Sequence, residues 1–184
     1  MEKRINKNKG IVKIVITGPE STGKTSLAEY LSNIYSTVFV PEYARDYIEK
    51  LNRQYTFEDI EHIAKKQIIL GKEFMNKANK ILFFDTYLII TKIWFLWSFK
   101  YCPDWLLHEI EKSDIDLFLL CNTDIPWIPD KVRENGGENR ERLFEIYKSE
   151  IENYGFNYAI ITGKASERFE NAKRIVDSFI IDKY

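Results

Sequence analysis

The sequence predicts a parallel α/β fold, five strands in one sheet with helices on both faces. Three observations carry that expectation. Short apolar runs alternate with helical patterns along the whole chain. The runs at 11–17, 80–85 and 115–121 are almost uninterrupted, as strands covered on both faces require. No internal repeat, low-complexity tract or linker divides the 184 residues. With 45% of them hydrophobic, the chain can fill one core, so 11–184 is expected to form a single domain behind a basic, solvated tail at 1–10.

The elements follow in order. The first strand, 11–17, runs into GPESTGKT at 18–25 and a helix near 24–35. A short strand at 37–40 precedes helices near 42–52 and 57–79, and Thr56 with Asp59 reads as a capping box opening the longer one. The third strand, 80–85, leads into an oily helix near 87–99. Asp85 and Lys92 interrupt this stretch, and charge at mid-bilayer is costly, which argues against a membrane span. A helix near 104–112 and the strand 115–121 come next. Pro126, Pro129, Gly136 and Gly137 mark one irregular loop. The helix near 139–154 repeats Leu143, Tyr147, Ile151 and Tyr154 at helical spacing. The strand at 158–162 is followed by a helix near 166–181, whose stripe is Phe169, Ala172, Ile175, Val176 and Phe179.

Composition excludes several classes. Lys and Arg total 27 against 28 Asp and Glu, so nothing in the overall charge calls for nucleic acid or an anionic membrane as partner. Cys102 and Cys121 stand in unrelated contexts. They offer neither a disulfide framework nor zinc spacing, and a reducing cytoplasm is the expected compartment.

The chemistry begins at residues 18–25, which fit G-x-x-x-x-G-K-S/T directly after a strand and into a helix. Gly18 and Gly23 let the backbone wrap an anion, with Pro19, Glu20, Ser21, Thr22 and Ser26 completing the phosphate-binding set. Lys24 is expected at the β- and γ-phosphates of ATP and the Thr25 hydroxyl on Mg²⁺. The fold expected is therefore a P-loop NTPase. Asp85 closes the strand ILFFD as a second magnesium-side carboxylate would. The next residue is Thr86, where many ATP-hydrolysing motors place Glu, and the D-x-x-G and N-K-x-D signatures of GTP switches are absent. Motor and switch functions weaken together.

An acceptor side lies at PEYARDYIE, 41–49. This strand end opens into the crevice of a doubly wound sheet, where Glu42 is placed to accept the proton of an attacking hydroxyl, with Arg45 one turn on. The residues alone leave open a plainer reading, a helix first turn carrying an acid that suits the dipole. The segment 129–144 holds Arg133, Arg140 and Arg142 around Gly136 and Gly137, the pattern of a lid that brings arginines to a transferring phosphoryl group.

In order along the chain, GPESTGKT, PEYARDY, FEDIEHIAKKQ, FFDT and RENGGENRERLF resemble the ribosylnicotinamide kinase domain of NadR-type proteins. The likeness runs from about residue 14 to 181. It implies a nucleoside-kinase-like fold and transfer of the ATP γ-phosphate to the 5′-hydroxyl of nicotinamide riboside, giving nicotinamide mononucleotide for NAD salvage. On this resemblance Lys24 and Thr25 serve ATP and Mg²⁺, Asp85 the metal side, and Glu42, Tyr43, Arg45 and Tyr87 the acceptor. Arg140 and Arg133 become lid contacts. This chain has Pro41 where family members place an aromatic, and Tyr87 where F-x-D-T-D supplies another acid. No nucleotidyl-transfer H-x-G-H motif occurs in it, so second-step chemistry and DNA binding are not expected. Another nucleoside or small alcohol as acceptor, or a non-catalytic ATP-binding sensor, are the competing functions.

Overall fold

A computed structural model describes residues 10–129 and 135–183. The expected tail and Arg133 lie outside the described residues. Five parallel strands form one sheet in the order β2-β3-β1-β4-β5: β1 Val12–Thr17, β2 Phe39–Val40, β3 Ile81–Asp85, β4 Leu117–Cys121 and β5 Tyr158–Ile161. The helices are α1 Lys24–Ile34, α2 Tyr43–Lys50, α3 Phe57–Met75, α4 Leu88–Phe99, α5 Asp104–Glu111, α6 Glu138–Asn153 and α7 Ala165–Lys183.

Successive strand residues point to opposite faces, and each face has its own core. Val15, Leu82, Phe84, Phe118 and Leu120 pack with buried residues of α3, α4, α5 and α6. Ile14, Ile16, Phe83, Leu117, Leu119 and Cys121 pack with α1 and α7. This is why the strands read as continuous apolar runs. Both faces are covered, so neither alternate set can be polar.

Boundaries moved where local hydrogen bonds decide them. The α3 pattern continued to 79, but the helix stops at Met75 because Lys77 and Ala78 donate to Phe74 and Met75 in a tightened last turn. Its start is the expected capping box, with the Thr56 amide donating to Asp59 Oδ2 at 2.7 Å. Arg53 and the Tyr47 hydroxyl also bond Asp59, which ties α2 to α3. The oily 81–99 stretch resolves into a buried strand and a packed helix, and Lys92 pairs with Glu150 and Tyr154 of and beside α6. Among the described residues no helix is long and apolar enough to cross a membrane. Cys102 and Cys121 are buried free thiols.

The C-terminal strand ends gather the segments of interest. β1 opens into 18–23, β2 into Glu42, β3 into Thr86, and β4 into the loop from Asn122. In a doubly wound sheet this edge is where ligands bind.

Candidate active site

The loop at 18–23 is built by conformations few sequences accept. Gly18 has φ +138°, and a Cβ there would stand 2.7 Å from the Cys121 carbonyl oxygen. Ser21 takes φ 56° and Gly23 φ 74°. The Thr22 hydroxyl donates to the Pro19 carbonyl at 2.8 Å, and Lys24 Nζ donates to the same oxygen at 2.9 Å. The lysine ammonium is thereby folded along the loop, next to the peptide groups that cradle an anion in this motif. Ser26 lies exposed on the first turn of α1.

Thr25 and Asp85 meet as a pair. Thr25 Oγ1 donates to Asp85 Oδ2 at 2.6 Å. Asp85 is buried, and loss of water raises its pKa, against the opposing pull of the Thr25 hydrogen bond and Lys24. Among the described residues, Asp85 Oδ1 and Thr17 Oγ1 are buried without a partner. Unsatisfied buried oxygens are costly, and a hard oxygen-seeking cation is a ligand that would satisfy them. Thr86 follows with φ 67°, a strained value for a β-branched residue, and its amide donates to Ile16.

Glu42 occupies the N-cap position of α2, yet its carboxylate makes no cap bond. The plainer reading, an acid that suits the helix dipole, needs only that position, and the charge of Arg45 also acts on Glu42. Burial raises its pKa to about 7, with Lys24 and Arg45 pulling it down and Asp85 and Glu20 pushing it up. The structure therefore brings Glu42, Lys24, Asp85 and Glu20 into one electrostatic neighbourhood. Arg45 pairs along its own helix with Glu49 at 3.1 Å. Tyr43 contacts Tyr47 and His62 in an aromatic cluster, its hydroxyl 3.2 Å from His62 Nε2.

Tyr87 departs from its expected place. Its ring packs on Phe84, 5.1 Å between centroids, and the charges acting on its phenol are those of Glu109 and Asp114. It stands at the N-cap position of α4 without a side-chain cap bond, and its partly buried side chain packs against the core on that face. The expected lid differs too. From Glu138 the segment is α6, whose Arg140, Leu143 and Phe144 are buried. Arg140 does not reach over the loop. Its guanidinium donates to the carbonyls of Glu20, Ser21 and Ile125 at 3.0, 2.8 and 2.7 Å. Arg142 lies two residues on, about 200° around the helix, and covers the Trp97 ring instead.

Three residues at the site carried no signal specific enough to single out. Gln67 is buried on α3; its Oε1 accepts from the Tyr43 amide at 3.1 Å and its Nε2 donates to the Pro41 carbonyl at 3.2 Å. It grips the chain on either side of Glu42. Its only trace was a polar letter on the buried stripe Ile60, Ile63, Ala64, Gln67, Gly71. Tyr147 read as core, but the charges of Glu42 and Glu20 reach its phenol, whose pKa burial pushes well above the usual value. Arg168, on α7, donates to the Thr22, Asn122 and Gly163 carbonyls and pairs with Asp124 at 2.7 Å.

A family model described as AAA domain matches residues 13–168. The chain is 29% identical over 146 residues to the trifunctional NAD biosynthesis/regulator protein NadR of Salmonella typhimurium, covering 72% of this chain and 33% of the relative. The Escherichia coli protein of the same name matches at 29% over 145 residues, with the same shares. Among solved structures, NadR protein in complex with NR superposes with a TM-score of 0.76 at 23% identity, over 92% of this chain and 50% of that one. A deoxyadenosine kinase from M. mycoides gives 0.61 at 14% identity, over 91% and 100%. This chain therefore spans about a third of the length of the curated relatives it matches. The relatives agree with the resemblance read from the motifs, and the structural likenesses establish the fold.

Proposed function

The chain belongs to the AAA domain family, with the family's match spanning 13–168, and from that premise we propose that it is an ATP-dependent kinase of a small riboside. The 29% identity to NadR proteins of NAD biosynthesis supports nicotinamide riboside as the acceptor. One observation carries the reaction type: Glu42, at a strand end beside the phosphate loop, has a pKa raised to about 7 and shares its surroundings with Lys24 and Asp85.

In this reading the loop 18–25 binds the triphosphate through its amides, with Lys24 on the β- and γ-phosphate oxygens. Thr25 and Asp85 fit a magnesium ion, which when bound neutralises charge on the phosphates. Glu42 accepts the proton of the acceptor 5′-hydroxyl as that oxygen bonds to the γ-phosphorus and the bond to the ADP oxygen breaks. Near pH 7 a carboxylate of that pKa is partly ionised and basic enough for the task. Gln67 holds the Pro41–Tyr43 backbone.

A second acceptor is favoured by two positions. Pro41 is exposed where the NadR-type pattern has an aromatic, and the partly buried Tyr87 packs on Phe84. ADP release from ATP with magnesium separates the readings when nicotinamide riboside, thymidine, cytidine and no acceptor are run side by side. Release that depends on nicotinamide riboside is the expected result. Dependence on another nucleoside keeps the mechanism and replaces the substrate, and ATP binding with no acceptor-dependent release leaves a sensor.

A further inference from the structure

Two buried arginines grip the outer side of the phosphate loop. Arg140, 6% exposed, spends its guanidinium on the carbonyls of Glu20, Ser21 and Ile125. Arg168, 3% exposed, reaches the next loop carbonyl, that of Thr22. Three consecutive peptide units therefore have a guanidinium on their oxygen: 20–21, 21–22 and 22–23. The amides of the same units belong to Ser21, Thr22 and Gly23, and the motif turns its amides toward the phosphates.

A peptide group polarises as one dipole. A charge-assisted hydrogen bond on the oxygen draws electron density from the nitrogen and makes the N–H a stronger donor. The two cations also sit in a buried setting, where screening is weak and their field acts on an anion across the loop. From this we infer that Arg140 and Arg168 are positioning residues for the phosphate donor, acting from behind through the backbone of residues 20–23 and not by touching the nucleotide. Arg168 also pairs with Asp124 at 2.7 Å, which holds its guanidinium beside the Thr22 carbonyl. The carboxylate of Glu20 reinforces the grip by accepting from the Asn135 amide and side chain at 3.0 and 3.1 Å. The segment beginning at Asn135 is thus a strap on the loop, and donor affinity is the quantity it controls.

The inference rests on reading 18–25 as a triphosphate cradle and is independent of the acceptor. The test compares wild type with Arg140→Met, Arg140→Lys, Arg168→Met and Arg168→Lys in the full chain. Calorimetric titration gives the affinities for inorganic tripolyphosphate and for ATP with magnesium, and a melt without ligand gives the stability of each protein. Arg140→Met is expected to weaken both ligands about tenfold, with Arg140→Lys recovering part of the loss, because lysine returns the charge but not the fork. Arg168→Met is expected to give a loss in the same direction. In turnover assays KM for ATP rises while KM for the acceptor stays near the wild-type value. Tripolyphosphate affinity within twofold of wild type in folded Arg140→Met overturns the inference, as does a turnover loss with donor affinity intact, the behaviour of a lid arginine. A loss that tracks melting temperature across the variants, and not the charge at 140, also overturns it. If the Arg168 variants do not fold, the Arg140 pair decides alone. Failure of the acceptor assay would sink the kinase reading and leave these titrations unaffected.

Discussion

Glu42 pays for its position. A carboxylate whose pKa is raised on folding stabilises the protein only while protonated, so its effect on stability turns unfavourable as pH rises from about 4.5 toward about 7. Glu42→Gln is therefore expected to lower turnover about 10²–10⁴-fold with ATP affinity kept. The same variant should raise stability at pH 8 by about 1–2 kcal/mol, after allowance for partial solvent contact. Initial rates and thermal melts of one preparation check both, and a variant that is neither slower nor more stable would remove Glu42 as the base. In the wild type, kcat/KM is expected to rise with pH through about 7, and that limb should vanish in the variant. Gly18 makes a second case. Alanine there meets the Cys121 carbonyl at 2.7 Å and an unfavourable φ of +138°. Its expected cost is about 2 kcal/mol or more, with ATP binding lost, read by melting and titration.

At the scale of elements, aim depends on how helices are tied to each other. Gln67 of α3 holds both flanks of Glu42, so Gln67→Leu should lower turnover roughly 10–100-fold with little change in ATP affinity. Equal loss of ATP binding would mean that Gln67 supports the whole site and not the acceptor side. Asp59 joins α2 to α3, and Arg53 with the Thr56 amide holds its carboxyl well below the usual carboxylate range. A depressed pKa stabilises above the unfolded value and the benefit is lost as pH falls toward the folded one. Asp59→Asn should therefore melt lower than wild type at pH 7, with the gap closing below about pH 4. The lid expected at 129–144 shows what helical geometry adds. Arg140 and Arg142 stand two letters apart, yet one is buried against the loop and the other lies over Trp97.

On the scale of the molecule, the sheet order β2-β3-β1-β4-β5 places the loop 18–23 centrally, with the β2 edge that leads into α2 on one side and β4, followed by the segment at Asn135, on the other. Both buried faces meet at this edge, so a ligand bound there joins segments far apart in sequence. ATP with magnesium at about 100 times its Kd should stabilise the fold by about 2.7 kcal/mol, a rise of about 5–10 °C in melting temperature for a chain of this size. Scanning calorimetry with and without nucleotide measures it, and no shift at saturating ATP would contradict the cradle at 18–25.

What the sequence determined by itself was whatever depends on local spacing. The strands declared themselves as apolar runs because both faces of a parallel sheet are covered. The loop 18–25 declared itself because its glycines, lysine and threonine must stand at set intervals along one turn. The Thr56–Asp59 cap was legible for the same reason, and among the described residues α6 and α7 lie close to where their periodicity put them. Only the tertiary structure decided which way long side chains turn when a partner is distant in the chain. Gln67 reaching Pro41, Arg140 reaching Glu20 and Ser21, and Arg168 reaching Thr22 are all of this kind. A backbone carbonyl leaves no letter in the sequence, so an arginine that binds one looks identical to an arginine that waits for a phosphate.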